Sequence, residues 1–209
     1  MRVKISFLRV HSSINTVPLH HQKLVSAFVE QIISETGVRP KHYNFSSLKG
    51  TSKVQNGFMK FMSSKISLVV SSESREFINA FIRKIFEKPT VFVGKLNLIP
   101  KTYQLIDQPA FQTQMRYVCI SPMVVADPEK DPALAQTIID PASHEFSDYV
   151  YNSVADAMEK DGYKEDEMSQ FAEFEIVPDV AYLNKLNAEG KKFARHYKNN
   201  QDLPMIGYM

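Results

Sequence analysis

Val3, Ile5 and Phe7 alternate with Arg2, Lys4 and Ser6, the period-two pattern of a strand with one buried face. From Leu24 the period lengthens. Leu24, Val25, Phe28, Val29, Ile32 and Ile33 follow helical spacing, and Gly37 and Pro40 lie just beyond as stop signals. "HYNFSSLKG" and "GFMKFMSSKISLVVS" read as strands joined by a turn-prone, basic loop, "KGTSKVQNG". A second helix is predicted from Ser74 to Lys88, with Phe77, Ile78, Phe81, Ile82 and Ile85 on one face. "TVFVGKLNLIPKTYQLI" returns to strand character. The order β-α-β-β-α-β is the ferredoxin-like supersecondary pattern.

"QPAFQTQ" forms a joint, dividing the chain into units 1–109 and 110–209. After it "RYVCISPMVVA" reads as a strand and "DPEKDPALAQTIIDPAS" as a proline-broken loop. Ser143 to Lys160 is predicted as an amphipathic helix, with Phe146, Val150, Val154, Ala157 and Met158 sharing a face. "FAEFEIVP" and "KKFARHYK" are predicted strands, and "PMIGYM" begins a third. The fold class predicted is α+β: two tandem ferredoxin-like units, the second incomplete at its C-terminus. Two such sheets side by side would leave a groove for an extended ligand.

Bulk properties narrow the function classes. No apolar run reaches the roughly 18 residues of a membrane helix. The opening "MRVKISFLRV" interleaves charge with apolar residues, unlike a signal peptide. Cys119 is the sole cysteine, which rules out an intrachain disulfide and a cysteine-based zinc site. These features read as a cytoplasmic protein with no membrane partner. The net charge of +2 hides a strong segregation. Residues 1–126 carry 17 Lys/Arg against 6 Asp/Glu, whereas residues 127–179 carry 3 against 15. Such segregation gives a positive surface on a nearly neutral molecule.

No acidic residue occurs between Glu35 and Glu73. That interval carries Arg39, Lys41, His42, Lys49, Lys53, Lys60 and Lys65, interleaved with Tyr43, Phe45, Phe58 and Phe61. Cations among aromatics suit a phosphate backbone and unstacked bases. A second acid-free run, "KKFARHYKNNQ", repeats the mixture. The candidate nucleic-acid contacts are therefore Lys49, Lys53 and Lys60 from the first run and Lys191, Lys192, Arg195 and Lys198 from the second, with Arg116 added from outside both runs. The same aromatics also suit the inward faces of strands, and both readings hold where faces alternate.

Three segments resemble the CRISPR-associated endoribonucleases of the RAMP superfamily, which cut repeat RNA into guide RNAs. They are "VPLHHQKLVSAFVEQI" after the first strand, "NFSSLKG", and "RYVCISPMVVAD" opening the second unit. Their order and spacing fit across essentially the whole chain. The resemblance implies two tandem ferredoxin-like domains, CRISPR repeat RNA as partner, and no cofactor. It also allows other CRISPR-associated proteins and a homodimer as partners. The family ends in a glycine-rich loop after its last hairpin; here Gly207, Tyr208 and Met209 are reached without one.

The activity so implied is metal-independent cleavage, in which a ribose 2′-hydroxyl attacks the adjacent phosphate. It leaves a 2′,3′-cyclic phosphate and a 5′-hydroxyl. Such a step needs a base, an acid and cationic donors around the phosphate. Histidine suits both proton roles, with an unperturbed pKa of about 6.5. The family places its histidines around the start of the first helix and the loop after it, where this chain has His20, His21 and His42. With Leu24 at zero and about 100° per residue, His21 falls near 60°, inside the apolar arc, and His20 near −40°, outside it. His21 is predicted to face inward and His20 to face solvent, where it is dispensable.

His42 lies in "RPKHYNF" beside cations, which favour a neutral, proton-accepting imidazole. It is the candidate base and His21 the candidate acid or phosphate donor, with the reverse assignment open to the same residues. Tyr43 and Lys53 complete the catalytic set as hydrogen-bond donor and phosphate clamp. Ser46 and Ser47 stand where some relatives carry a histidine. The structural alternatives are a His21 packed in the first turn and an idle surface His42. His144, in the acidic region, suits a helix cap, and His196 belongs to the basic strand. No carboxylates cluster with the histidines at metal-ligand spacing, so no metal site is expected.

Two further readings compete with the nuclease. One is a non-catalytic RNA-binding subunit of the same fold. The other is an assembly domain that docks through the acidic segment 127–179.

Overall fold

A computed structural model describes residues 1–11, 14–107, 110, 112–117, 125, 139–190, 194–198 and 204–208. It divides into two compact units, Met1–Arg116 and Tyr117–Met209.

In the first unit the alternation at the N-terminus becomes β1 (Arg2–Arg9), with Val3, Ile5 and Phe7 buried. After it come β2 (Thr16–Pro18) and α1 (Gln22–Thr36), whose buried stripe is Val25, Phe28, Val29, Ile32 and Ile33. Gly37 ends α1 in the left-handed conformation, where a side chain would be strained. Next are β3 (Tyr43–Phe45), β4 (Ser52–Gln55), β5 (Phe58–Phe61) and β6 (Lys65–Ser72). α2 (Arg75–Phe86) is capped by the Ser74 hydroxyl, which accepts from Phe77 N–H at 3.1 Å. The unit closes with β7 (Val91–Val93) and β8 (Leu96–Ile106).

The main sheet is antiparallel, in the order β3-β6-β1-β8-β7. Without the β7 hairpin strand, this is the strand order and direction of a ferredoxin-like fold. Both helices bury their apolar stripes against the Val3, Ile5 and Phe7 face in one core. Lys88 pairs with Glu35 at 2.7 Å, tying the residues just past α2 to the last turn of α1.

Two elements depart from the sequence expectation here. The segment 49–57, expected as a loop, contains β4. Its residues Lys53, Val54 and Gln55 are all exposed, so no buried alternation marks it. "NFSSLKG" is a strand only to Phe45. Ser46 breaks the ladder, its hydroxyl accepting from Val69 N–H at 3.0 Å. Pairing resumes at Lys49, which exchanges two backbone hydrogen bonds with Ser67, both of 2.8 Å.

The second unit opens its described part with α3 (His144–Lys160), close to the helix predicted. Ser143, not His144, is its cap: the Ser143 hydroxyl accepts from Glu145 N–H at 3.2 Å. The strand expected at 171–178 is absent. Phe171 and Phe174 stack at 4.5 Å between centroids, and Tyr151 stacks on Phe171 at 5.3 Å. Rings three residues apart meet in a turn, whereas a strand would put them on opposite faces. Two unexpected helices flank this turn, α4 (Glu165–Ser169) and α5 (Val180–Ala188). Asp179 caps α5 by accepting from Tyr182 N–H at 3.0 Å. The expected strands at 191–198 and 204–209 are the antiparallel pair β9 (Ala194–Lys198) and β10 (Pro204–Tyr208). Most of the strand expected over "RYVCISPMVVA" and most of the loop after it fall outside the described residues.

Candidate nucleic-acid interface

β2, β5 and β4 form a small antiparallel sheet of their own, in that order. Its hairpin turns through Asn56 and Gly57, both at positive φ, the type I′ geometry that Asn-Gly favours. Alternation then sorts the residues. Val17 and Phe61 are buried in the main core and Met59 packs against it. Thr16, Pro18, Lys53, Gln55, Phe58 and Lys60 fall on the other face, and Phe58 is 50% exposed. Thr16, Gln55, Asn56, Phe58 and Lys60 line an open hollow there.

Register places Lys53 directly opposite Lys60. Like charges at that spacing repel and weaken the sheet. Neither lysine makes an ion pair among the described residues, and both are exposed. An unrelieved lysine pair beside an exposed ring is what a polyanion with flat bases would relieve.

The start of α1 adjoins this sheet, because Leu19 N–H donates to the Gly57 carbonyl at 2.8 Å. His21 is only 4% exposed, as its helical phase predicts, while His20 faces solvent. His21 occupies the N-cap position of α1 but makes no capping bond. Its Nδ1 lies 3.2 Å from the Leu19 carbonyl, and we assign the proton to that nitrogen. Nε2 is buried with no partner. Burial holds the imidazole below its usual pKa; the hydrogen bond to Leu19 opposes this, and the charges of His20 and Lys49 add to it. Lys49, whose charge acts on His21, is exposed.

A histidine neutral in the fold binds its proton more readily when unfolded, so stability rises with pH across the interval between the two pKa values. Stability should be complete above about 6.5, the ordinary value, and should fall as pH drops from there to the folded-state pKa. The slope from this one group cannot exceed about 1.4 kcal/mol per pH unit. Denaturant unfolding of wild type and His21→Asn at several pH values between 7.5 and 5 checks this. Asparagine keeps the donor to Leu19 and caps well, and its profile should be flatter than wild type by that slope.

His42 and Tyr43 lie elsewhere. Ser72, the last residue of β6, donates its hydroxyl to the His42 carbonyl at 2.6 Å, and Tyr43 pairs with Ser72. That is the end of the sheet from which β1 starts, whereas His21 stands at the opposite end of α1. A helix of 15 residues is about 22 Å long. The two imidazoles therefore do not meet at one phosphate, which corrects the expectation that they act as a pair. Tyr43 is also committed: its hydroxyl donates to Glu30 on α1, and this bond, with burial, raises the phenol above its ordinary pKa. Lys53 likewise sits with Lys60, away from His42.

Of the remaining expected contacts, Arg116 is exposed at the end of the first unit. Arg195 and Lys198 lie on β9, whereas Lys191 and Lys192 fall outside the described residues. The structure thus gathers Lys49, Lys53, Lys60, His20 and His21 at one end of the first unit. Of the interleaved aromatics it singles out Phe58, and it adds Gln55, which charge counting passed over. The Asn56-Gly57 dipeptide was the signal for Gln55, since a two-residue hairpin there sets it opposite Phe58.

No family model and no curated protein matches this sequence. Solved structures do. A CRISPR-associated protein Cas6 superposes with a TM-score of 0.66 at 15% identity, over 99% of this chain and 84% of that one. A Cas6-related protein of Pyrococcus furiosus gives 0.61 at 15% identity, over 100% and 84%. This chain has their fold. An RAMP protein described as binding different RNA substrates matches over 77% of this chain and 71% of its own, with a TM-score of 0.54 and 17% identity. The likeness extends over both units, so the α+β, tandem ferredoxin-like class is the fold of the chain. Among the described residues no helix is long and apolar enough to cross a membrane.

Proposed function

We propose that this chain is a CRISPR-associated RAMP protein that binds repeat RNA and cuts it to guide RNAs without a metal ion. The observation that carries the reading is the acid-free lysine and aromatic face of the small sheet, set on a fold shared with Cas6. On this reading His42 takes the proton from a ribose 2′-hydroxyl. That oxygen attacks the adjacent phosphorus, a new O2′–P bond forms, and the P–O5′ bond breaks. The 5′-oxygen leaves with a proton from solvent or from the neighbouring Lys41 ammonium. Arg39 and Lys41 offset the charge that builds on the phosphate. His21, buried and half a domain away, holds the start of α1.

Incubating the full chain with cognate repeat RNA in EDTA tests the proposal. Products ending in a 2′,3′-cyclic phosphate and a 5′-hydroxyl are expected, at the rate seen with magnesium. RNA that is bound but returned intact would favour the second reading, a non-catalytic RNA-binding subunit. The separation of His21 from His42, and the engagement of Tyr43 by Glu30, favour that alternative.

Binding has its own signature. Each lysine contact to single-stranded RNA contributes about 0.7 to the slope of log affinity against log salt. Lys49→Ala with Lys53→Ala should lower that slope by about 1.4. An unchanged slope and affinity, measured by fluorescence anisotropy, would move the binding surface elsewhere.

A further inference from the structure

We propose that the outer face of the β2-β5-β4 sheet is a platform for an unpaired stretch of RNA. One base stacks on Phe58 and the phosphates beside it contact Lys53 and Lys60. The inference deepens the reading above, because it names which form of RNA the basic face takes.

The geometry selects an unpaired strand. Phe58 and Lys60 are two residues apart on β5 and share a face, about 7 Å from each other along the strand. Lys53 flanks Lys60 on the neighbouring strand. A ring and two ammonium groups therefore lie within the reach of one nucleotide and its phosphates. A base can cover the ring only if it has left its own stack, and bases inside an A-form duplex have not. A duplex would meet the two lysines and leave Phe58 bare.

Gln55 pairs with Phe58 across the hairpin, and both line the hollow on this face. The Gln55 amide donates and accepts, which suits the edge of a stacked base or a 2′-hydroxyl. Thr16 adds a hydroxyl on the far side of Lys60. The charge pattern argues against a protein occupant. An acidic peptide would answer the lysines but has no use for a half-exposed ring. An apolar partner would have to bury two like charges.

The test uses the full chain and two probes of one sequence: an unpaired RNA oligonucleotide carrying a single 2-aminopurine, and the same strand in a duplex. Wild type should bind the unpaired strand more tightly and quench the 2-aminopurine on binding. Phe58→Ala should weaken that binding roughly 5- to 150-fold, the range for one lost base–aromatic stack, and leave duplex binding unchanged. Phe58→Tyr should retain affinity. Phe58→Leu, which keeps bulk and loses the π face, should behave as the alanine variant. Unchanged affinity and quenching in Phe58→Ala, or equal affinity for the duplex, would overturn the platform. Cleavage assays on the same proteins separate this from the nuclease reading. Phe58-dependent binding without any cleavage leaves the platform standing and overturns the nuclease. Cleavage with Phe58-independent binding does the reverse.

Discussion

His42→Ala is expected to slow repeat-RNA cleavage by about 10²–10⁴-fold, the usual cost of a lost general base, while leaving RNA affinity nearly intact. The two outcomes separate because a general base acts on the ribose 2′-hydroxyl in the chemical step, whereas affinity comes from the cations that contact phosphate. His42 is exposed in the turn between α1 and β3, and its backbone is pinned through Ser72. The side chain lies outside the core, so thermal unfolding of the variant should stay close to wild type. Single-turnover rates with saturating protein read the chemical step alone. His20→Ala, at the other end of α1, should cut at the wild-type rate. His21→Asn should do so too at neutral pH, since its buried ring is too far away to share the reaction. A His42→Ala protein that cuts as fast as wild type would show that the base lies elsewhere, and a slow His20→Ala protein would place it at the start of α1.

The sequence carried the main domain well and the site only in part, for identifiable reasons. β1, α1, α2 and β6 each bury one face in a single core, so period two or period 3.6 is written into their apolar residues. β4 buries almost nothing, and its residues read as loop. In the second unit, Phe174 and Ile176 mimic a strand by alternating with Glu173 and Glu175, but the Phe171 and Phe174 rings pair in a turn. Side-chain direction was legible where a helix imposes it, hence the correct inward placement of His21. The separation of His21 from His42 was legible too: they flank the same helix, and its 15 residues span about 22 Å, a length that the expectation of a joint action overlooked. The lysine pair was visible as composition, while its register needed the Asn56-Gly57 turn.

The link from core to site predicts a second large effect. Phe61→Ala should destabilise the protein by about 3–5 kcal/mol, the range for a buried phenylalanine truncated in a close-packed core. Phe61 is fully buried on β5 and sits in one cluster with Phe7, Leu48 and Ile66. Gly50 shows how tightly it is held, since a Cβ there would come within 3.2 Å of the Phe61 ring. The residue just before it on β5 is Lys60, and Ser52 faces it on β4. Phe61 is thus the inward anchor of the sheet whose outward face carries Lys53, Phe58 and Lys60. Its loss should loosen that sheet before the main one, because β2, β4 and β5 have no helix of their own to cover them. Chemical denaturation should show a lower midpoint, and hydrogen exchange at Met59 and Phe61 should accelerate more than at Ile5 or Leu68. RNA affinity should fall in the same variant although no cation has been removed. Phe61→Leu, which refills most of the volume, should recover most of both. Full RNA affinity in a Phe61→Ala protein with a lowered midpoint would uncouple the sheet from RNA binding.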